Sequence, residues 1–436
     1  MTTSTEQENY AKETAQLKAE IENRYGKSTE ELYAEREKRA ADAIEMRVPD
    51  RVPFSVNVDM HSYAGIHNSA AYYEPLAYKR AMRQVTLDLE PDMCNAGLPM
   101  SGDALEALGV TNRLWPGGPL PPDYEYQFVE REYMKADEYD MFLSDPTDFI
   151  IRRFLPRMYK VYAPLEKLPP LAMMFQGFEG LSTLFASDEF REMAKTVAAA
   201  GESMKEFRDI SGDAYGEMAD LGFPPFAPFG SGIGGSPYDA LSSFLRGMQG
   251  AMADMFRQPD KLLAACDLIN RRRIANGRKA DPSQRPNPKK SGMPLWRGDK
   301  SFMSQAQFER FYWPGLREAM QASIDLGWVP VPFFEAEFGE RLGKLRELEP
   351  GKVVASIEYM DAVKAKELLA GHTCLLVRGP LSSRVWSLNQ VEAYYKELFD
   401  KIGKGGGVMF NVRFPDKTKK EDARALLAEL CAYCRY

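Results

Sequence analysis

Val329-Pro-Val-Pro-Phe-Phe334, an apolar run that stops on the carboxylate of Glu335, is the stretch from which the fold class follows. Six residues rich in Val and Phe have the length of a buried strand, too short for a helix of ordinary span. The pattern recurs on both sides of it, in Met293-Pro-Leu-Trp296, Val353-Val-Ala-Ser-Ile357, Cys374-Leu-Leu-Val377 and Val408-Met-Phe-Asn-Val412. Helical patterns separate these runs: Ser304 to Leu326, Arg341 to Leu348, Asp361 to Leu369, Asn389 to Ile402 and Lys420 to Tyr433. Repeated strand-then-helix units predict parallel strands joined by right-handed crossovers, hence an α/β barrel or an open doubly wound sheet. An earlier unit starts at Phe54-Ser-Val-Asn-Val58 and runs into the polar loop Asp59-Met-His61.

The chain of 436 residues exceeds the roughly 250 of a bare barrel. Its excess is predicted to lie in two places. Residues 1–47 carry helix formers, with Leu17, Ile21 and Tyr25 spaced by four, and read as an N-terminal helical arm. The body is 48–436, with an insertion at about 98–170 capping the barrel mouth, marked by the irregular Trp115-Pro-Gly-Gly-Pro-Leu-Pro-Pro. Arg271 to Ser291 reads as an exposed, basic, Pro-rich connection. A formal charge of −7 from 56 basic and 63 acidic residues offers no phosphate-binding face, so nucleic acid is not an expected partner. No stretch is apolar enough to suggest a membrane span or a secretory leader, and five scattered cysteines suggest reduced thiols, so a soluble, cytoplasmic protein is expected.

In barrels of this kind reactive groups stand at the C-terminal ends of strands. The polar residues that follow each apolar run are Asn57, Asp59 and His61; Arg297; Glu335 and Glu337; Glu358 and Asp361; Arg378; Asn411 and Arg413. Arginines can hold a carboxylate through two parallel bonds while a nearby Glu exchanges protons. Glu335, His61 and Asp361 are the catalytic candidates. Asn57, Asp59, Trp296, Arg297, Phe334, Glu358, Arg378, Asn411 and Arg413 are the substrate-binding ones, with the aromatics Trp296, Phe333, Phe334, Tyr359 and Phe410 able to pack a flat substrate. Glu335, Glu337 and His61 are the candidate metal ligands. Each has a structural reading too: Asp361 has the position of a helix N-cap, and Glu337 with Arg341 the spacing of an intrahelical ion pair. Gly230-Ser-Gly-Ile-Gly-Gly matches GxGxxG, but prolines rather than a clean strand precede it, which favours a tight loop over a dinucleotide site. Cys431 and Cys434 have redox spacing yet belong to the pattern of a last helix.

Several segments together resemble the uroporphyrinogen decarboxylase superfamily: Glu31-Leu-Tyr-Ala-Glu-Arg-Glu-Lys-Arg39, Pro49-Asp-Arg-Val-Pro53, Phe302 to Pro314, Asp361-Ala-Val-Lys-Ala-Lys366 and the Gly379-Pro380 strand end. Tyr126 to Met134, Asp137-Glu-Tyr-Asp140 and Asp145-Pro-Thr-Asp-Phe149 look like an uncharacterised branch of it. The resemblance implies a (β/α)8 TIM-type barrel, commonly a homodimer. It also implies one of two chemistries: cofactor-free decarboxylation, or methyl transfer to the cobalt of a corrinoid held by a partner protein. The decarboxylases carry an arginine-rich loop after an early strand, where this chain has Ser55 to Gly65 without arginine. The zinc-dependent methyltransferases carry His-x-Cys and a later Cys, where this chain has Glu335-Ala336-Glu337 and Asn411-Val412-Arg413. The expected activity is therefore O-demethylation of a small methyl ether, aromatic ones included, with a corrinoid protein as partner and the usual zinc thiolates replaced. The alternatives are a decarboxylase of a carboxylated substrate and a non-catalytic corrinoid-protein binding subunit.

Overall fold

The computed structural model describes residues 4–95, 97–172, 174–226, 232–284, 286 and 288–436. Six apolar runs become parallel strands: β1 Phe54–Asn57, β4 Lys289–Leu295, β5 Trp328–Phe334, β6 Val354–Ile357, β7 Cys374–Arg378 and β8 Val408–Arg413. They lie in the order β1-β8-β7-β6-β5-β4, while the short β2 (Arg113–Leu114) and β3 (Gln127–Phe128) form a separate antiparallel pair. The strand β4 begins four residues before the apolar run. Lys290 and Ser291, expected in an exposed connection, are instead buried in the sheet, and the helix Pro259–Ala275 takes up the start of that same basic stretch.

The result is a curled, barrel-like parallel sheet, and the expected eight-strand barrel must be corrected to it. Between the edges β1 and β4 the described chain continues the curl with irregular segments. Asp92 and Met93 N–H both donate to Phe54 O, at 2.9 and 3.2 Å. Cys94 N–H donates to Pro224 O and Phe226 N–H to Cys94 O, both at 2.9 Å, around a single parallel bridge between Cys94 and Pro225. Pro91, Pro224 and Pro225 have no N–H to give, so a continuous ladder cannot form at these two places. Asp92 fastens the junction: fully buried, it accepts from Phe54 N–H at 2.8 Å and from Arg39 and Arg51. The GxGxxG match begins outside the described residues. Its described part packs on β4, where a Cβ on Gly235 would stand 3.3 Å from Pro294 O, so closeness to the strand accounts for a glycine there.

Strand alternation sorts the sheet into two faces. Leu295, Phe334, Ile357, Leu375, Val377 and Phe410 point outward and join Leu316, Met320, Leu369, Val391, Leu398 and Leu427 of the surrounding helices in one core. On the inner face Val329, Val331, Val354, Cys374, Leu376 and Met409 pack against Ala40, Ala43 and Ile44. The helix Thr29–Ile44 therefore plugs the N-terminal end of the sheet, with each fully buried Val or Leu contributing roughly 1.5–3 kcal/mol. Its capping box, in which the side chains of Ser28 and Glu31 each accept the other's backbone N–H, starts it cleanly. Leu17, Ile21 and Tyr25 of the preceding helix Ser4–Tyr25 join Leu32, Cys94 and Phe223. No helix among the described residues is long and apolar enough to cross a membrane.

Candidate active site

Toward the C-terminal ends of the strands the inner face turns from apolar to polar. Ser55 and Asn57 of β1, Phe333 of β5, Ser356 of β6, Arg378 of β7, and Asn411 and Arg413 of β8 line a cavity of about 820 Å³. Leu98, Pro116, Tyr124, Glu125 and Tyr126, from the segment between residues 98 and 170, line it too. Arg378 rests its guanidinium 4.3 Å from the centre of the Phe333 ring. Arg413 Nη1 donates to Glu358 Oε1 at 2.7 Å, and Asn411 Nδ2 donates to Ser55 Oγ at 2.9 Å.

Three polar atoms on this wall are buried without a hydrogen-bond partner: Arg378 Nε, Ser356 Oγ and Asn411 Oδ1. Each such group costs roughly 1–3 kcal/mol when left unsatisfied, and native structures contain few of them. Their convergence on one cavity makes it the candidate site for a polar ligand. They also supply both signs of the interaction, a guanidinium donor, an amide acceptor and a hydroxyl that can do either.

Glu335 stands just past β5 in the inward register of Val331 and Phe333, and its backbone N–H is held by Leu295 O at 3.0 Å. Burial raises its carboxyl above the usual carboxylate range; Arg378 opposes the shift and Glu358 adds to it. Burial likewise weakens the hold of Arg378 on its proton, while Glu358 and Glu335 strengthen it. Two carboxylates, Glu335 and Glu358, thus follow β5 and β6, and two guanidiniums, Arg378 and Arg413, end β7 and β8, with burial favouring the protonated form of Glu335. Glu335 itself is not among the residues that line the cavity, although the charge of Arg378, which does line it, acts on its carboxyl.

The other predicted residues are placed as follows. Asn57 and Asp59 line the cavity, and Asp59 also caps the helix Met60–Ala64 by accepting from Ser62 N–H at 3.1 Å. Trp296 and Arg297 lie outside its lining: Trp296 Nε1 donates to Ser243 Oγ at 2.9 Å, and Arg297 pairs with Glu130. Phe334 is in the outer core against Phe338, at 4.8 Å between ring centres, so the ring facing the cavity is its neighbour Phe333. Asp361 accepts from Val363 and Lys364 N–H at 2.9 and 3.2 Å as an N-cap, which removes it from the cluster as a catalytic group. Glu337 is exposed and makes no ion pair with Arg341, which donates instead to Gly298 O and Met303 O, both at 2.7 Å.

The proposed metal trio needs a further correction. Among the described residues Glu335, Glu337 and His61 do not come together; His61 groups with His67 and Asp123 on the cavity's outer rim. Cys94 is on the cavity wall, but burial pushes its thiol up to about 12, and Sγ donates to Phe223 O at 3.6 Å. Among the described lining residues Cys94 is the one cysteine and no histidine stands with it, so the usual thiolate zinc set is not assembled on this wall.

Residues the sequence did not single out include Ser55 and Ser356, which share the inward face with Asn411 and Arg378 on neighbouring strands. Asp239 is a third. In the helix Pro237–Phe244, it accepts from Arg297 N–H at 2.9 Å and from Tyr312 Oη, and burial pushes its carboxyl up to about 7 against those two bonds.

No protein-family model matches this chain, and no curated protein does. The fold has solved counterparts. One is a methyltransferase from Methanosarcina mazei, which aligns over 91% of this chain and 98% of its own with a TM-score of 0.54. The aligned residues are 14% identical, so the likeness is one of fold.

Proposed function

We propose that this chain is a methyltransferase that takes the methyl group of a small methyl ether and delivers it to the cobalt of a corrinoid carried by a partner protein. The observation that carries the reading is the set of unpartnered groups on Arg378, Ser356 and Asn411, facing a cavity sized for a small organic molecule. The methyltransferase of the same fold supports methyl transfer as the reaction class. Among the described residues the wall offers guanidinium, amide, hydroxyl and phenol groups, with the carboxylates of Asp59, Glu125 and Asp416 among them, a set suited to a polar organic substrate. The reduced corrinoid would supply the nucleophile for the methyl carbon.

In this mechanism Phe333, Tyr72 and Tyr126 flank the substrate, and Arg378 with Asn411 and Ser356 fixes its polar substituents. As the methyl–oxygen bond breaks, its electron pair stays on oxygen. Glu335, whose hold on a proton is strengthened by burial and by Glu358, would supply through an intervening water the proton that neutralises that oxygen, and recover one from solvent afterwards. Incubating the chain with a reduced corrinoid protein and a panel of methoxy-aromatics should produce the methyl-cobalt absorbance band. Full activity in Glu335→Gln would sink the acid role.

One feature favours a second reading. The free Nε of Arg378, in a cavity that also holds Arg413, suits a carboxylate as well as an ether. Release of carbon dioxide from a carboxylated substrate without any corrinoid would establish that reading in place of the first.

A further inference from the structure

We propose that His61, His67 and Asp123 bind a divalent transition-metal ion of the Zn2+ class, which fastens the insertion to the rim of the cavity. The chain has only three histidines, and two of them stand ring over ring, 4.8 Å between centres and 19° between planes. Both direct Nδ1 at the same oxygen: Asp123 Oδ1 is 2.7 Å from His67 and 3.5 Å from His61. One ligand atom from each of the three lies within 4.8 Å of the others. Small rotations of side chains that are 48%, 54% and 45% exposed suffice to close them on an ion.

The backbone brings these ligands together from segments far apart in sequence. His61 is on the helix Met60–Ala64, and Gly65, at φ 67°, reverses the chain so that His67 returns beside it. Asp123 is held from below: Ser69 N–H donates to Pro122 O at 2.9 Å and Asn68 Nδ2 to Asp123 O at 3.1 Å. The arrangement is therefore set before any ion arrives, and the ion would neutralise the carboxylate that the two imidazoles now share. Two nitrogens and one carboxylate form a borderline donor set, favouring zinc and its neighbours over calcium or magnesium, with water completing the coordination.

The consequence is mechanical. Tyr124, Glu125 and Tyr126 follow Asp123 directly and line the cavity, while Asp59, at the start of the His61 helix, lines it opposite. An ion bridging the two segments fixes that part of the cavity lining, and this holds whichever reaction the cavity performs. The inference does not rest on the methyltransferase reading.

The test is titration of the metal-free full chain with Zn2+ alone, by calorimetry and by metal analysis after gel filtration. One ion per chain is expected, with affinity falling on the order of tenfold or more in His61→Ala, His67→Ala and Asp123→Asn, and retained in Glu337→Gln. Zn2+ should also slow proteolytic cleavage between residues 116 and 126 in the wild type and not in the His61→Ala/His67→Ala double variant. No uptake by the wild type, or equal uptake by the double variant, would overturn the proposal. All three side chains are half-exposed, so their loss leaves folding intact.

Discussion

Replacing Glu358 by glutamine isolates the electrostatic logic of the cavity. Glu358 Oε1 is 2.7 Å from Arg413 Nη1, and the two side chains are only 7% and 12% exposed. Coulomb attraction at that separation, with an effective dielectric constant near 20, is about 6 kcal/mol. Taking both charges out of water offsets much of it, yet removing one partner strands the other, so the loss of stability should be about 3 kcal/mol. The amide oxygen of glutamine still accepts a bond, which keeps the loss from being larger. A second effect has a definite sign. Glu358 helps to raise the Glu335 carboxyl and Arg378 opposes it, so without Glu358 the proton on Glu335 is held less tightly. If protonated Glu335 is the acid, the alkaline limb of the pH–rate profile should move to lower pH. Urea unfolding followed by tryptophan fluorescence reads the first effect as a lower midpoint. Turnover against pH reads the second. An unchanged midpoint together with an unmoved or upward-shifted alkaline limb would refute the account.

Arg378→Met keeps an apolar stem on Phe333 but removes the guanidinium, so KM should rise on the order of tenfold to a hundredfold while thermal stability holds or increases, since a buried charge is gone. A fall in stability with KM unchanged would make Arg378 a structural residue. Asp239→Asn should flatten the pH dependence of stability. An unfolded Asp titrates near about 4, whereas burial holds the native group up to about 7. Its contribution is complete below the unfolded value and is lost as pH rises through 7, a decline on the order of a few kcal/mol. Melting temperatures of wild type and variant measured from pH 4 to 8 should diverge over that interval; parallel curves would contradict the burial argument.

The sheet was legible in the sequence because strand formation is local. The runs ending at Phe334, Ile357, Val377 and Val412 carry their own β-propensity, and period two carries the inward register from Val331 to Glu335. The same locality explains the Asp361 cap, whose partners lie two and three residues away. Phe334 was given the wrong face because an unbroken apolar run hides its alternation until a neighbouring helix shows which side is core. The two missing strands were invisible for a related reason: whether Pro91, Pro224 and Pro225 interrupt a ladder depends on which strands they would have joined.

Charge partners depend on the whole chain. Glu335 was visible as a carboxylate at a strand end, but its raised carboxyl comes from burial and Glu358 against the pull of Arg378, brought together by three adjacent strand ends. His61 was visible as a polar loop residue, and only folding turned it away from Glu335 and toward Asp123, 62 positions along the chain. The sequence by itself determined the parallel α/β sheet, the N-terminal helices and the strand-end polar residues, because propensity and periodicity act between near neighbours. The tertiary structure alone decided the number of paired strands, which rings face the cavity and which charges meet, because those depend on distances between residues that the chain separates and the fold restores.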